Sequence, residues 1–165
     1  MGHDTDNKIN VRACTIADLP FADYVMKHEA VYNQATYDGR PDASQYSIAD
    51  RLRQGPPVYV LMDDSNSFVA VLVPETNVTW VAHSNTLPNI RGKQAKAICN
   101  AMCEWMFKNT ACCNIIGYTP SRNRAALAFN RFCGFKKIGV IKNGVLKDGE
   151  LDDLHIVSRE MQNVR

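Results

Sequence analysis

Thr86–Lys96 reads T-L-P-N-I-R-G-K-Q-A-K. Before it, Val78–His83 (V-T-W-V-A-H) has the β-branched and aromatic content of a strand. After it, Ile98, Met102, Trp105 and Met106 recur at three- and four-residue spacing, which predicts a helix from Gln94 to about Lys108. A strand-to-helix turn gathers unpaired backbone N–H groups and the positive end of a helix dipole at one point, where a phosphate or pyrophosphate is favoured. Arg91, Lys93 and Lys96 place three cations in the same six residues. On these residues alone, a solvated basic helix start with no ligand stays open as the alternative.

Outward from this turn the chain alternates strands and helices. Toward the N-terminus, Ile9–Ala13 reads as a strand, and Thr15 with Asp18 resembles a capping box for a helix over Ala17–His28. Residues 29–46 are polar and aromatic and read as a loop or short helical turns. Ser47–Gln54 reads as a second helix, stopped by Gly55-Pro56-Pro57. Val58–Met62 and Phe68–Pro74 pair around Asp63-Asp64-Ser65-Asn66. Toward the C-terminus, Asn114–Thr119 is a strand and Ser121–Cys133 a helix with Ala126, Phe129, Asn130 and Cys133 on one face. Phe135–Lys142 and Asp153–Ser158 close the chain, with turns expected at Asn143-Gly144 and Asp148-Gly149. The order β-α-α-β-β-β-α-β-α-β-β predicts one α/β domain, 1–165, with a mixed sheet.

Composition restricts the function classes. A chain of 165 residues buries roughly 70% of its unfolded surface without staples. A net charge of +2 gives no whole-molecule case for nucleic acid, so any basic site is local. Residues 1–8, M-G-H-D-T-D-N-K, read as a flexible N-terminus, polar and acidic unlike a signal peptide. No apolar run approaches the ~18 residues of a membrane span, so a cytoplasmic protein with no membrane partner is expected. The six cysteines contain no C-x-x-C pair. Cys99 and Cys103, four apart on one helix face, are read as small buried hydrophobes in preference to a metal or redox pair; free thiols and no metal are expected.

The element order, the P-x-x-R-G turn at Pro88–Gly92 and N-R-A-A-L-A-F-N-R-F-C-G-F at 123–135 resemble the GCN5-related N-acetyltransferase (GNAT) superfamily. W-x-F-x-x-T at Trp105–Thr110, with Pro120, Asn123, Ala126 and Gly134-Phe135, is most similar to the compact acetyltransferase-like proteins encoded by tailed bacteriophages. The resemblance implies the GNAT fold and acetyl-CoA as cosubstrate. It implies that the amides of Arg91, Gly92, Lys93, Gln94, Ala95 and Lys96 grip the coenzyme A pyrophosphate. Gln94 and Lys96 depart from the family, which uses glycine-type residues there because the backbone approaches the phosphates closely. Asn123 matches the asparagine that reaches the pantetheine arm, and also suits a helix N-cap. Asn130 falls where the family places a tyrosine, the acid for the leaving thiolate; asparagine donates a hydrogen bond but supplies no proton.

An amine acceptor needs a base, since an unperturbed lysine amine with pKa ~10.4 is neutral in roughly one molecule per thousand at pH 7.4. His83 is the candidate: it ends the predicted strand, shares a face with Thr79 and Val81, and titrates in the useful range. A strand-end histidine bonded to a loop carbonyl is the alternative. Glu75 is a weaker candidate; His28, Glu29 and His155 read as solvated. In the family the acceptor is chosen by the first two helices and their loop. Here this is His28–Gln54 with Tyr32, Asn33, Tyr37, Asp38, Arg40 and Asp42, which shows no dominant sign and suits a small-molecule or peptide-like amine. The resemblance also allows a homodimer, a host-protein acceptor, or an inactive phage assembly, host-interaction or coenzyme A-binding regulatory protein.

Overall fold

The computed structural model describes residues 9–55 and 58–162. The expected flexible terminus, residues 1–8, lies outside them, as do Pro56 and Pro57 of the expected helix stop. Strand β1 (Val11–Ala13) leads through a 3-10 turn to helices α1 (Leu19–Met26), α2 (Glu29–Ala35) and α3 (Ile48–Gln54). Strands β2 (Tyr59–Asp63), β3 (Phe68–Pro74) and β4 (Thr79–Thr86) follow, then α4 (Gly92–Asn109), β5 (Asn114–Pro120), α5 (Arg124–Phe132), β6 (Lys136–Lys147) and β7 (Glu150–Glu160). The seven strands form one mixed sheet in the order β1-β2-β3-β4-β5-β7-β6, in which only β4 and β5 run parallel. The architecture is α/β, as the sequence predicts, with α2 condensing inside the segment expected as a loop or short turns.

Both faces of the sheet are covered, which explains why Phe68–Leu72 of β3 is apolar at every position instead of alternating. On one face α4 buries Ile98, Cys99, Met102, Cys103 and Met106 against Leu61, Ala70, Leu72 and Ile115. On the other, α1 and α3 bury Ala22, Val25, Met26 and Ile48 against Val60, Met62, Val69 and Val71. The fully buried Ile48 alone contributes about 1.5–3 kcal/mol. It opens α3, whose first amides are met by the Asp23 carboxylate (2.8 Å, from Ile48 N–H) and the Ser47 hydroxyl (3.2 Å, from Asp50 N–H).

Three boundaries differ from expectation in ways that matter. Strand β4 runs three residues past His83, to Thr86, because it keeps continuous register with β3 from Pro74↔Trp80 to Phe68↔Thr86. Asn143-Gly144 is no turn: β6 passes through it with a register shift between Ile141 and Val145, and the chain reverses at Asp148-Gly149. A Cβ on Gly144 would sit 2.8 Å from Leu154 Cβ and 2.9 Å from Ile141 O, so the bulge admits only glycine without a shift. All six cysteines are free, with Cys99 and Cys103 in the core. Among the described residues no group of three metal-ligating side chains occurs, and no helix is long and apolar enough to cross a membrane.

Candidate active site

Strands β4 and β5 pair over only three residues each, Thr79–Val81 with Asn114–Ile116. Beyond that point each follows its other neighbour, β4 staying with β3 to Thr86 and β5 with β7 to Pro120. A wedge therefore opens between two hydrogen-bonded ribbons. Along its β4 side, the N–H and C=O groups directed away from β3 have no strand partner. Alternation puts Val81, His83 and Asn85 on the α1–α3 face, with Ile116 and Tyr118 on the same face across the wedge. Gly117 and Thr119 lie on the α4–α5 face.

Helix α4 starts at the mouth of the wedge. Gly92 takes φ +58°, a left-handed conformation that glycine adopts without strain and that swings the chain into the helix. Arg91 caps the helix in extended geometry with no side-chain cap, and the first turn holds no acid. The first-turn amides of Gly92, Lys93 and Gln94 thus have no acceptor among the described residues, and the helix end is positive. Arg91 folds back, donating to Leu87 O (3.0 Å) and Ile90 O (2.7 Å), so its charge stays over the turn. Lys93 and Gln94 are exposed and Ala95 is buried. Lys96 leans onto α5, its Nζ 4.5 Å from the centre of the Phe132 ring. Behind that contact a cavity of about 570 Å³ opens, lined in part by Asn100, Arg131, Lys136 and Arg159.

Residues 54–163 match the family described as "Protein of unknown function (DUF2824)". The chain belongs to the DUF2824 family. Among curated proteins none matches this DUF2824 chain in sequence. Solved structures do match it. Ribosomal-protein-S5-alanine acetyltransferase from Vibrio fischeri superposes with a TM-score of 0.71 at 15% identity, covering 96% of each chain. Spermidine N-acetyltransferase from Vibrio cholerae, solved with CoA and spermine, gives 0.71 at 14%, covering 93% of this chain and 95% of that one. The yncA protein of Salmonella typhimurium, solved with its cofactor acetyl-CoA, gives 0.70 at 17%, covering 95% and 96%. The DUF2824 chain has the GNAT acyltransferase fold.

The remaining predicted residues divide between the two faces. Asn123 is the N-cap of α5: its Oδ1 accepts Ala126 N–H (3.1 Å) and its Nδ2 donates to Gln34 O (3.5 Å). Asn130 points inward, as its helix face predicts, and donates from Nδ2 to Thr119 Oγ1 (3.0 Å). Nearby, Ser121 Oγ and His155 Nε2 share a hydrogen bond of 2.9 Å, so His155 is half-buried and bonded where the sequence reading has it solvated. His28 also departs from that reading: it caps α2, its Nδ1 accepting Ala30 N–H (3.3 Å). Glu29 and Glu75 are exposed.

His83 requires two corrections. It is a mid-strand residue because β4 continues to Thr86. It also does not titrate in the neutral range. Burial pushes its imidazole down to about 4, and the positive charges of Arg51 and Arg40 act in the same direction. No loop carbonyl bonds it among the described residues. Two neighbours escaped the sequence reading. Tyr118, 41% exposed on β5, faces the same side as His83, and the alternation in N-I-I-G-Y-T carries that signal. Arg51 sits three residues after the buried Ile48, so the helix period marks it as facing the sheet.

Proposed function

We propose that this DUF2824 protein is an acetyl-CoA-dependent N-acyltransferase that transfers the acyl group to an amine by direct attack in a ternary complex. The observation that carries the reading is the β4–β5 wedge opening onto the uncapped, acid-free N-terminus of α4. Acetyl-CoA supplies an activated acyl thioester. The free first-turn amides of Gly92, Lys93 and Gln94, with the charges of Arg91, Lys93 and Lys96, would hold its pyrophosphate, Ala95 packing the turn beneath them. Gln94 is exposed and Lys96 leans on Phe132, so neither side chain need crowd those amides. The unpaired edge of β4 offers main-chain donors for the pantetheine arm and the thioester carbonyl, with Asn123 beside the arm.

Transfer requires one proton to leave the amine and one to reach the departing thiolate. His83, neutral at pH 7 and held near 4, is too weak a base to keep the proton; it accepts a hydrogen bond that orients the amine, and water carries the proton away. Asn130 has a second N–H to donate toward sulfur, and with thiol pKa values near ~8.5 water completes the protonation. Positioning two reactants in the wedge supplies much of the rate. Location in a cytoplasm, that of a host cell if the gene belongs to a tailed phage, is part of the same proposal and rests on the resemblance at 105–135.

A coenzyme A-binding regulatory module is the second reading, favoured by asparagine at position 130. Calorimetric titration with acetyl-CoA and coenzyme A tests both: no binding at millimolar ligand removes them together. Given binding, mass spectrometry of lysate proteins and small molecules after incubation with labelled acetyl-CoA separates them. Label transferred above an enzyme-free control supports the transferase.

A further inference from the structure

Two charged side chains on the His83 face have no role in the chemistry above. Four arginines are half-buried among the described residues: Arg12, Arg40, Arg51 and Arg159. Arg12 is held by both oxygens of Asp18 (2.7 and 3.0 Å), and Arg159 donates to Asn100 Oδ1 (2.6 Å) and Cys133 O (2.9 Å). Arg40 and Arg51 have no carboxylate within 4.0 Å among the described residues, nor any side-chain hydrogen bond there. The Nε of Arg40 is buried without a partner, while its guanidinium lies 4.5 Å over the Tyr37 ring. A guanidinium removed from water without an acceptor carries a desolvation penalty that a bound anion relieves.

Of the acids of this segment, Glu29 is exposed at the start of α2 and the others are engaged elsewhere. Asp38 accepts the N–H groups of Asp148 (2.9 Å) and Gly149 (2.8 Å). Asp42 accepts both the N–H and the hydroxyl of Ser44, and Asp50 pairs with Arg53. Asp23, beside Tyr46, accepts Ile48 N–H. Arg40 and Arg51 are therefore left as the cations of this segment that no carboxylate pairs among the described residues. Ile48 packs with Val71, and Arg51 follows it on the same helix face. His83 is the cross-strand partner of Val71, on the same side of the sheet. The loop after α2 is fastened to the same face: the Tyr32 hydroxyl donates to Pro41 O (2.6 Å), next to Arg40, and the Tyr32 ring meets Tyr46, which packs on the cluster of Ile48 and Val71.

We propose that Arg40 and Arg51 together bind a carboxylate carried by the acceptor, so that the acceptor is an amino acid or an acidic peptide-like amine and not a polyamine. This deepens the acyltransferase reading and rests on it. A planar carboxylate matches the forked donors of one guanidinium while the second neutralises its remaining charge. The polar and aromatic side chains nearby would then orient the amine end toward His83 and the wedge.

Two acceptors of equal length, differing only at the remote end, test the proposal: δ-aminovalerate, which ends in a carboxylate, and cadaverine, which ends in a second amine. Thiol release from acetyl-CoA should show kcat/KM for δ-aminovalerate roughly tenfold to a hundredfold above that for cadaverine. Arg51→Met and Arg40→Met should each erase that preference, leaving coenzyme A affinity unchanged, while Arg53→Met, an exposed control, should not. Equal or faster turnover of cadaverine overturns the proposal. A second measurement needs no turnover: the His83 ring resonances of the full chain, followed by NMR during titration with glutarate, cadaverine or inorganic phosphate. Glutarate should shift them in the parent and not in Arg51→Met. No response to millimolar glutarate, or a larger one to phosphate, overturns the carboxylate assignment. If glutarate shifts His83 while acetyl-CoA fails to bind, the anion site stands and the transferase reading falls.

Discussion

Replacing His83 by glutamine should remove most of the pH dependence of stability between about pH 7 and pH 4.5. His83 titrates near 6.5 when unfolded and near 4 in the fold, because burial and the charges of Arg51 and Arg40 disfavour the imidazolium. A gap of that size corresponds to roughly 3 kcal/mol across the whole window. Between the two values the unfolded chain binds a proton that the native chain does not, so stability rises with pH through the window and is lost as pH falls below about 6.5. At pH 4.5 the native ring is still mostly neutral and the unfolded ring charged, giving a loss of roughly 2 kcal/mol relative to pH 7. Tyr46, before α3, is pushed up by burial and stays neutral over this range. The carboxylates held below their ordinary range, Asp18, Asp38, Asp42, Asp63 and Asp153, weaken the fold chiefly at lower pH and do so in both proteins. Urea unfolding at the two pH values, parent against variant, isolates the effect. If His83→Gln loses as much stability as the parent between them, or NMR finds His83 titrating above pH 6, the burial argument is refuted.

Three further outcomes follow from the packing. The buried Asp63 carboxylate accepts the N–H groups of Ser65 (3.3 Å), Ser67 (2.8 Å) and Phe68 (2.8 Å) and the hydroxyls of Ser65 and Ser67, so Asp63→Ala strands three amides. It should cost roughly 3–5 kcal/mol, read as a lower urea midpoint; a change below roughly 1 kcal/mol would show that water replaces the carboxylate. Gly144→Ala should cost about 1–3 kcal/mol by forcing β6 away from Leu154, and an unchanged melting temperature would mean the bulge relaxes freely. Asp38→Ala should raise KM for the acceptor with coenzyme A affinity intact and speed amide exchange over residues 36–42; unaltered exchange would show that other contacts hold the loop.

The legible part of this protein was the part governed by period. The three- and four-residue recurrence from Ile98 to Met106 and the apolar run Phe68–Leu72 place α4 and β3, and the P-x-x-R-G turn places the start of α4. What stayed hidden depends on partners distant in sequence. Nothing local to V-T-W-V-A-H tells that β4 extends to Thr86, since that length comes from pairing with β3. Asn143-Gly144 has turn chemistry, yet it forms a bulge because β7 continues alongside it. The site divided in the same way. Arg91 and Gly92 were visible as a helix start, and Asn130 as an inward-facing polar residue. The low basicity of His83 was not visible, because it comes first from burial between packed elements and then from two arginines that lie 32 and 43 positions away in the chain and reach the ring only in the fold.

The contacts of Asp38 and Lys147 also set a chronology. Lys147 donates to the carbonyls of Asn33 and Thr36, and Asp38 holds the turn at Asp148-Gly149 from 110 and 111 residues upstream. The loop that carries Arg40 therefore has only local fastenings, such as the Tyr32 hydroxyl on Pro41 O, until the final hairpin has been synthesised and folded. On a ribosome, α4 and its amides would be in place well before that moment. The nascent chain would gain the proposed phosphate-binding end first and the proposed means of choosing an acceptor last.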